Sequence, residues 1–98
     1  MLEAPTPTRE FDPGGSYVLH PRVALRPEPF GALAYHYGNR RLTFVKSFEL
    51  VELLRGLGRH SSVDAALDDA GIHGQKRDSC VRALARLAEA EVIHAFAR

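Results

Sequence analysis

Ninety-eight residues, with 13 Lys and Arg against 12 Asp and Glu, 45% hydrophobic and 26% charged, match the globular average and exclude a fibrous repeat, a disulfide scaffold and wholesale disorder. A chain of this length can bury about two-thirds of its unfolded surface, enough for one core and no second domain. A net charge of +1 is far from the basic balance of a protein that lives on phosphate backbones.

Residues 1–16 carry Pro5, Pro7, Pro13, Gly14 and Gly15 without any periodicity that would bury a face, and read as a disordered tail ahead of one domain over 17–98. Val23 and Leu25 alternate with Arg22, Ala24 and Arg26, the period of a half-buried strand. Pro21 and Pro27 bracket it and should keep it short, and Pro27-Glu28-Pro29 should form the turn that follows.

From Ala32 to Val45 two strand-like runs flank Gly38-Asn39, a dipeptide suited to a two-residue hairpin turn. That turn sets Tyr37 against Arg40, Tyr35 against Leu42 and Leu33 against Phe44, with the large apolar side chains on one face. The other face, with Ala32, Ala34 and His36 against Val45, Thr43 and Arg41, is thinner and more polar and is expected toward solvent or a partner.

The period then becomes helical. Ser47 is an N-cap candidate ahead of Leu50, Leu53, Leu54 and Leu57, with Gly56 and Gly58 as the stop. A second short helix starts at Ser61 or Ser62, places Val63, Ala66, Leu67 and Ala70 on one face and ends before Gly71. A third runs from about Gln75 to Ala90 with Val81, Leu84, Leu87 and Ala88 inward. Val92, Ile93 and Phe96 close the chain as a strand, a wing or an apolar plug, and the sequence leaves these open. Three strands followed by three helices define an α+β fold with a three-stranded antiparallel sheet, and the three helices resemble a winged helix-turn-helix.

Catalytic and metal chemistry find little footing. His20, His36, His60, His73 and His94 are scattered without ligand spacing. Cys80, the one cysteine, cannot form an internal disulfide and reads as an inert thiol beside an apolar stripe. No Gly-rich phosphate loop and no grouping of nucleophile, base and oxyanion donor occurs, so no enzyme and no cofactor is expected. The N-terminus shows neither the basic segment nor the apolar run of a secretory signal, and the expected compartment is the cytoplasm, without a membrane partner.

Two surfaces remain. The strand from Arg41 to Val45 lies at the sheet edge without a flanking proline, an invitation to an added peptide strand. Alternatively, the C-terminal residues or a dimer mate cover that edge, so the chain is expected as a monomer or a weak homodimer. The outward face of the third helix sets Ser79, Arg82, Ala83, Arg86 and Ala90 at helical spacing. In the alternative reading, a winged-helix nucleic-acid-binding or transcription-regulating domain, this helix would read bases from Gln75, Lys76, Arg77 and Asp78, with few other cations nearby.

The stretch from Leu19 to Leu42, with Leu19-His20-Pro21-Arg22-Val23, Arg26-Pro27-Glu28-Pro29-Phe30-Gly31 and Tyr35-His36-Tyr37-Gly38-Asn39-Arg40-Arg41-Leu42, resembles the mycofactocin biosynthesis chaperones. These belong to the PqqD-like recognition elements for ribosomally made, modified peptides. The resemblance implies a non-catalytic peptide chaperone that captures the leader of the mycofactocin precursor peptide and presents it to a radical S-adenosylmethionine maturase. In that group the leader adds a strand beside the third strand and packs on the third helix. Carried onto this chain, the resemblance implies Arg41, Leu42, Thr43, Phe44 and Val45 on the strand, with Ser79, Arg82, Ala83 and Arg86 on the helix.

Overall fold

The computed structural model describes residues 11–96. In chain order these form β1 (Tyr17–Leu19), β2 (Val23–Glu28), β3 (Gly31–His36), β4 (Leu42–Val45), α1 (Phe48–Gly56), a 3-10 turn (Leu57–Arg59), α2 (Val63–Asp69), α3 (Gly74–Glu89) and β5 (Ile93–Ala95). The architecture is α+β: β2, β3 and β4 make an antiparallel sheet in that order, three helices follow, and β1 pairs with β5 in a separate antiparallel ribbon. The C-terminal segment is therefore a strand, in register Tyr17↔Ala95, Val18↔His94 and Leu19↔Ile93.

The hairpin register is the one the sequence predicts, Tyr35↔Leu42 and Leu33↔Phe44, but the turn differs. It spans Tyr37 to Arg40, and the His36 carbonyl accepts from Arg40 N–H at 2.8 Å. The positive φ falls on Arg40 (66°) and not on Gly38 or Asn39. The His36 ring holds this turn, since its Nδ1 accepts from Gly38 N–H (2.9 Å) and Asn39 N–H (3.1 Å), and Asn39 Oδ1 accepts from Arg41 N–H.

The expected orientation of the sheet is reversed. Ala32, Ala34 and Val45 are at most 1% exposed and His36 is 4% exposed, whereas Leu42 and Phe44 are 61% and 62% exposed. The face of small residues lies in one core cluster with Leu50, Leu53 and Leu54 of α1, Val63, Ala66 and Leu67 of α2, and Leu84 and Leu87 of α3. Small side chains let helices approach a sheet closely, and the apolar area that drives burial comes from the leucines on the helical side. Polarity and size on the sheet alone therefore point to the wrong face.

β2 is also longer than its prolines suggest, running through Pro27, which pairs with Ala32. The Tyr37 N–H donates to the Arg22 carbonyl at 2.7 Å, and antiparallel alternation from that bond turns the main chain of Pro27 away from β3. A missing donor on an outer edge costs the ladder nothing. The turn after β2 is accordingly Pro29-Phe30, closed by the pair Glu28↔Gly31. Gly31 has φ +146°, and a Cβ there would collide with the Val45 carbonyl oxygen and come within 2.9 Å of the Ser47 amide nitrogen.

The helices start where their caps stand. Ser47 Oγ accepts from Leu50 N–H at 3.1 Å, and Ser62, of the two serine candidates, accepts from Ala65 N–H at 3.0 Å. Ala70, placed inward by its spacing, is exposed, and α2 ends one residue before it. Residues 1–10 of the expected tail lie outside the described residues, and residues 11–16 carry specific contacts. The carbonyls of Gly15 and Pro13 accept from Val63 and Asp64 N–H at 3.0 and 2.9 Å, satisfying the first donors of α2. Phe11 stacks against Tyr17 at 4.8 Å.

Candidate functional site

The two edges of the sheet are unlike. Because His36 N–H donates to the Arg41 carbonyl at 3.0 Å, alternation along β4 turns the amides of Thr43 and Val45 toward β3 and those of Leu42 and Phe44 outward. On β2 the outward positions are Val23, Leu25 and Pro27. Val23 N–H is taken by the His20 carbonyl at 2.9 Å, and Pro27 has no donor. β2 is thus blunted, while no strand among the described residues pairs with the outer edge of β4.

Beside that open edge runs a groove of about 580 Å³ between β4 and α3, floored by the first turn of α1. Thr43, Phe44 and Lys46 line one wall, Lys76, Ser79, Cys80, Ala83, Arg86 and Leu87 the other, with Ser47, Glu49 and Leu50 at the base. Glu49 Oε1 and Lys76 Nζ meet at 2.9 Å and tie α1 to the start of α3. The hydrogen bond and charge of Glu49 raise the Lys76 amine above its ordinary value, keeping a fixed cation at the groove. Burial, with Glu49 adding, pushes the Cys80 thiol up against the opposing pull of Lys76, so Cys80 presents a neutral, apolar surface.

Of the sequence-derived candidates, the groove brings together Thr43, Phe44, Ser79, Ala83 and Arg86. Leu42 belongs to the same edge through its outward amide, and Arg41 begins it. Val45 does not face the groove, since its side chain is 1% exposed in the core. Arg82 lies off the groove wall, with its guanidinium 3.3 Å from Ser79 Oγ. Sequence reasoning missed Lys46, Ser47, Glu49, Leu50, Lys76, Cys80 and Leu87. The signal available was spacing: Lys76, Ser79, Cys80, Ala83 and Leu87 follow the same i, i+3, i+4, i+7 stripe.

The histidines scattered in sequence partly converge in space. The rings of His20 and His36 lie 4.4 Å apart and those of His20 and His94 4.8 Å apart, with Glu91 Oε1 4.0 Å from His36 Nε2. Nδ1 of His20 accepts from Arg22 N–H at 3.0 Å, as Nδ1 of His36 accepts from the hairpin turn. Among the described residues no three His, Cys, Asp or Glu side chains are grouped to hold a metal ion.

A peptide-sized groove next to an unpaired strand edge, with its lone thiol neutral, is binding architecture. Comparison with known proteins agrees. Residues 16–94 match the profile of the peptide chaperone MftB family. The chain is 41% identical over 83 residues to the peptide chaperone MftB of Mycolicibacterium smegmatis, covering 85% of this chain and 81% of that protein. It is 36% identical over 100 residues to the peptide chaperone MftB of Mycobacterium tuberculosis, covering 95% and 92%. No solved structure matches. The class is that of peptide chaperones. Within that class, the chain belongs to the peptide chaperone MftB family.

Proposed function

We propose that this chain captures the leader of the mycofactocin precursor peptide as a fourth strand on β4 and presents it to the radical S-adenosylmethionine maturase that modifies it. The observation that carries the reading is the pair of outward amides at Leu42 and Phe44 beside the groove to α3. An added strand bonds those amides through its own carbonyls, and its alternate side chains drop toward Ala83 and Leu87. Main-chain bonds supply affinity without regard to sequence, and the groove supplies selection. The mixed lining, with Lys46, Lys76 and Arg86 around apolar Phe44, Ala83 and Leu87, suits a leader with apolar side chains and nearby carboxylates.

Ordering the leader costs about 1 to 2 kcal/mol per residue, which sets the expected dissociation constant on the order of micromolar. Arg82 and Val45, which neither line the groove nor present an outward amide, act on binding only through the fold. Calorimetric titration of the chain with synthetic precursor peptide tests the reading. Saturable binding lost on scrambling the leader supports it, and no heat up to about millimolar peptide contradicts it.

A further inference from the structure

The reversed orientation of the sheet leaves a second surface that meets the groove only at Phe44 and Lys46. On its outward face the rows Ala24–Tyr35–Leu42 and Arg26–Leu33–Phe44 run across all three strands. Phe30 stacks edge-on against Phe44 at 5.6 Å and Tyr37 against Tyr35 at 4.8 Å. Phe30, Tyr37, Leu42 and Phe44 are 41–62% exposed. A monomeric domain seldom leaves so many large apolar side chains together in water without a use for them.

Cations surround this face. Arg22 adjoins Tyr37 through the bond from Tyr37 N–H to its carbonyl, Arg26 stands in the row of Leu33, Arg40 is exposed at the hairpin turn, and Lys46 Nζ lies 6.0 Å over the Phe44 ring. Glu28, 3.1 Å from Arg26, is the acidic residue that the β2 end sets among them. The chain as a whole is nearly neutral, so the rim is a local excess of positive charge.

We infer that the outward sheet face docks a globular protein surface that presents apolar side chains inside an acidic rim. Three observations select this occupant. The main-chain groups of β3 are all engaged within the sheet, so this face offers side chains alone and does not suit an added strand. Its apolar stripe is three strands wide, about 10 Å at the usual strand spacing, which fits a folded surface better than one extended chain. A second copy placed face to face would bring one basic rim against another, a like-charge arrangement. Guanidinium groups at three of the four positions are suited to bidentate carboxylate contacts.

Resting on the function proposed above, the partner is the maturase. A leader strand on β4 would lie at the border of this face, beside Leu42 and Phe44, so one docked surface would reach both chaperone and leader. The test measures two affinities separately, with purified maturase and with synthetic precursor peptide, for the wild-type chain and for Arg22→Glu/Arg26→Glu/Tyr37→Ser. Maturase binding is expected at least about tenfold weaker in the triple variant and only partly weakened in Arg22→Lys/Arg26→Lys, which keeps the charge and loses the bidentate geometry, with peptide affinity within about twofold of wild type in both.

Unchanged maturase affinity in the triple variant overturns the inference. So does a wild-type dimer that the triple variant dissolves, or cosedimentation of the wild type with anionic lipid vesicles that the triple variant loses. Wild-type chain that binds peptide but not maturase overturns the docking surface and leaves leader capture standing. Wild-type chain that binds neither overturns both.

Discussion

Thr43 stands opposite Ala34 at a hydrogen-bonded position of the β3–β4 ladder, so its amide serves the sheet while those of Leu42 and Phe44 face outward. The two kinds of position answer proline differently. Phe44→Pro removes an outward donor from an edge strand and should leave the fold intact, with leader affinity weakened about fivefold by one lost bond of about 1 kcal/mol and further by loss of the Phe44 ring from the groove wall. Thr43→Pro removes an internal ladder bond and should lower stability by about 1 to 3 kcal/mol. Urea unfolding and calorimetry on both variants check this; equal leader affinity for wild type and folded Phe44→Pro would contradict it.

The groove wall on α3 separates two arginines four residues apart. Arg86 lines the groove and Arg82 does not, so Arg86→Glu should change leader affinity while Arg82→Glu leaves it within about twofold. Ala83→Leu adds volume inside the groove and should weaken the leader at least about tenfold with little change in thermal midpoint, since Ala83 is only half-buried. Fluorescence anisotropy with a labelled leader distinguishes the three variants.

Gly31 joins the β2–β3 turn to the end of β4 at a φ of +146°. Gly31→Ala sets a Cβ against the Val45 carbonyl and near the Ser47 amide, both backbone atoms that cannot rotate aside. The expected cost is at least about 2 to 3 kcal/mol. Ser47→Ala, which only removes the cap of α1, should cost about 1 kcal/mol. Denaturant unfolding of both variants ranks the two.

Burial first, and then the charges of His36 and His94, hold His20 below the ordinary imidazole value of 6.5. The unfolded chain takes up this proton near pH 6.5 and the folded chain only at lower pH. Unfolding is therefore favoured as pH falls below 6.5, and the His20 contribution to stability is complete above it. Thermal midpoints should decline from pH 7 to pH 5, and less steeply in His20→Asn, whose side-chain oxygen can still accept from Arg22 N–H. Parallel pH profiles for wild type and His20→Asn would refute the assignment.

Local chemistry made much of the fold legible: the serine caps, the leucine stripes and the β3–β4 register all follow from neighbours a few residues apart. The buried face of the sheet was not legible, because Ala32, Ala34 and Val45 become interior only when the leucines of all three helices pack on them. The β1–β5 ribbon was equally hidden, since three-residue strands carry no alternation and their pairing joins Tyr17 to Ala95. In the groove, sequence reached Thr43, Phe44, Ser79, Ala83 and Arg86 through edge and spacing arguments. It missed Glu49 and Lys76, whose joint role depends on α1 meeting α3.

Amide chemical shifts of the isotopically labelled chain, followed during addition of synthetic precursor peptide, test leader capture on β4 most directly. The largest shifts are expected at the outward amides of Leu42 and Phe44, with smaller ones along residues 76–87, and little change at Leu25 on the blunted edge. Shifts concentrated on β2, or none at all with peptide near millimolar concentration, would contradict it.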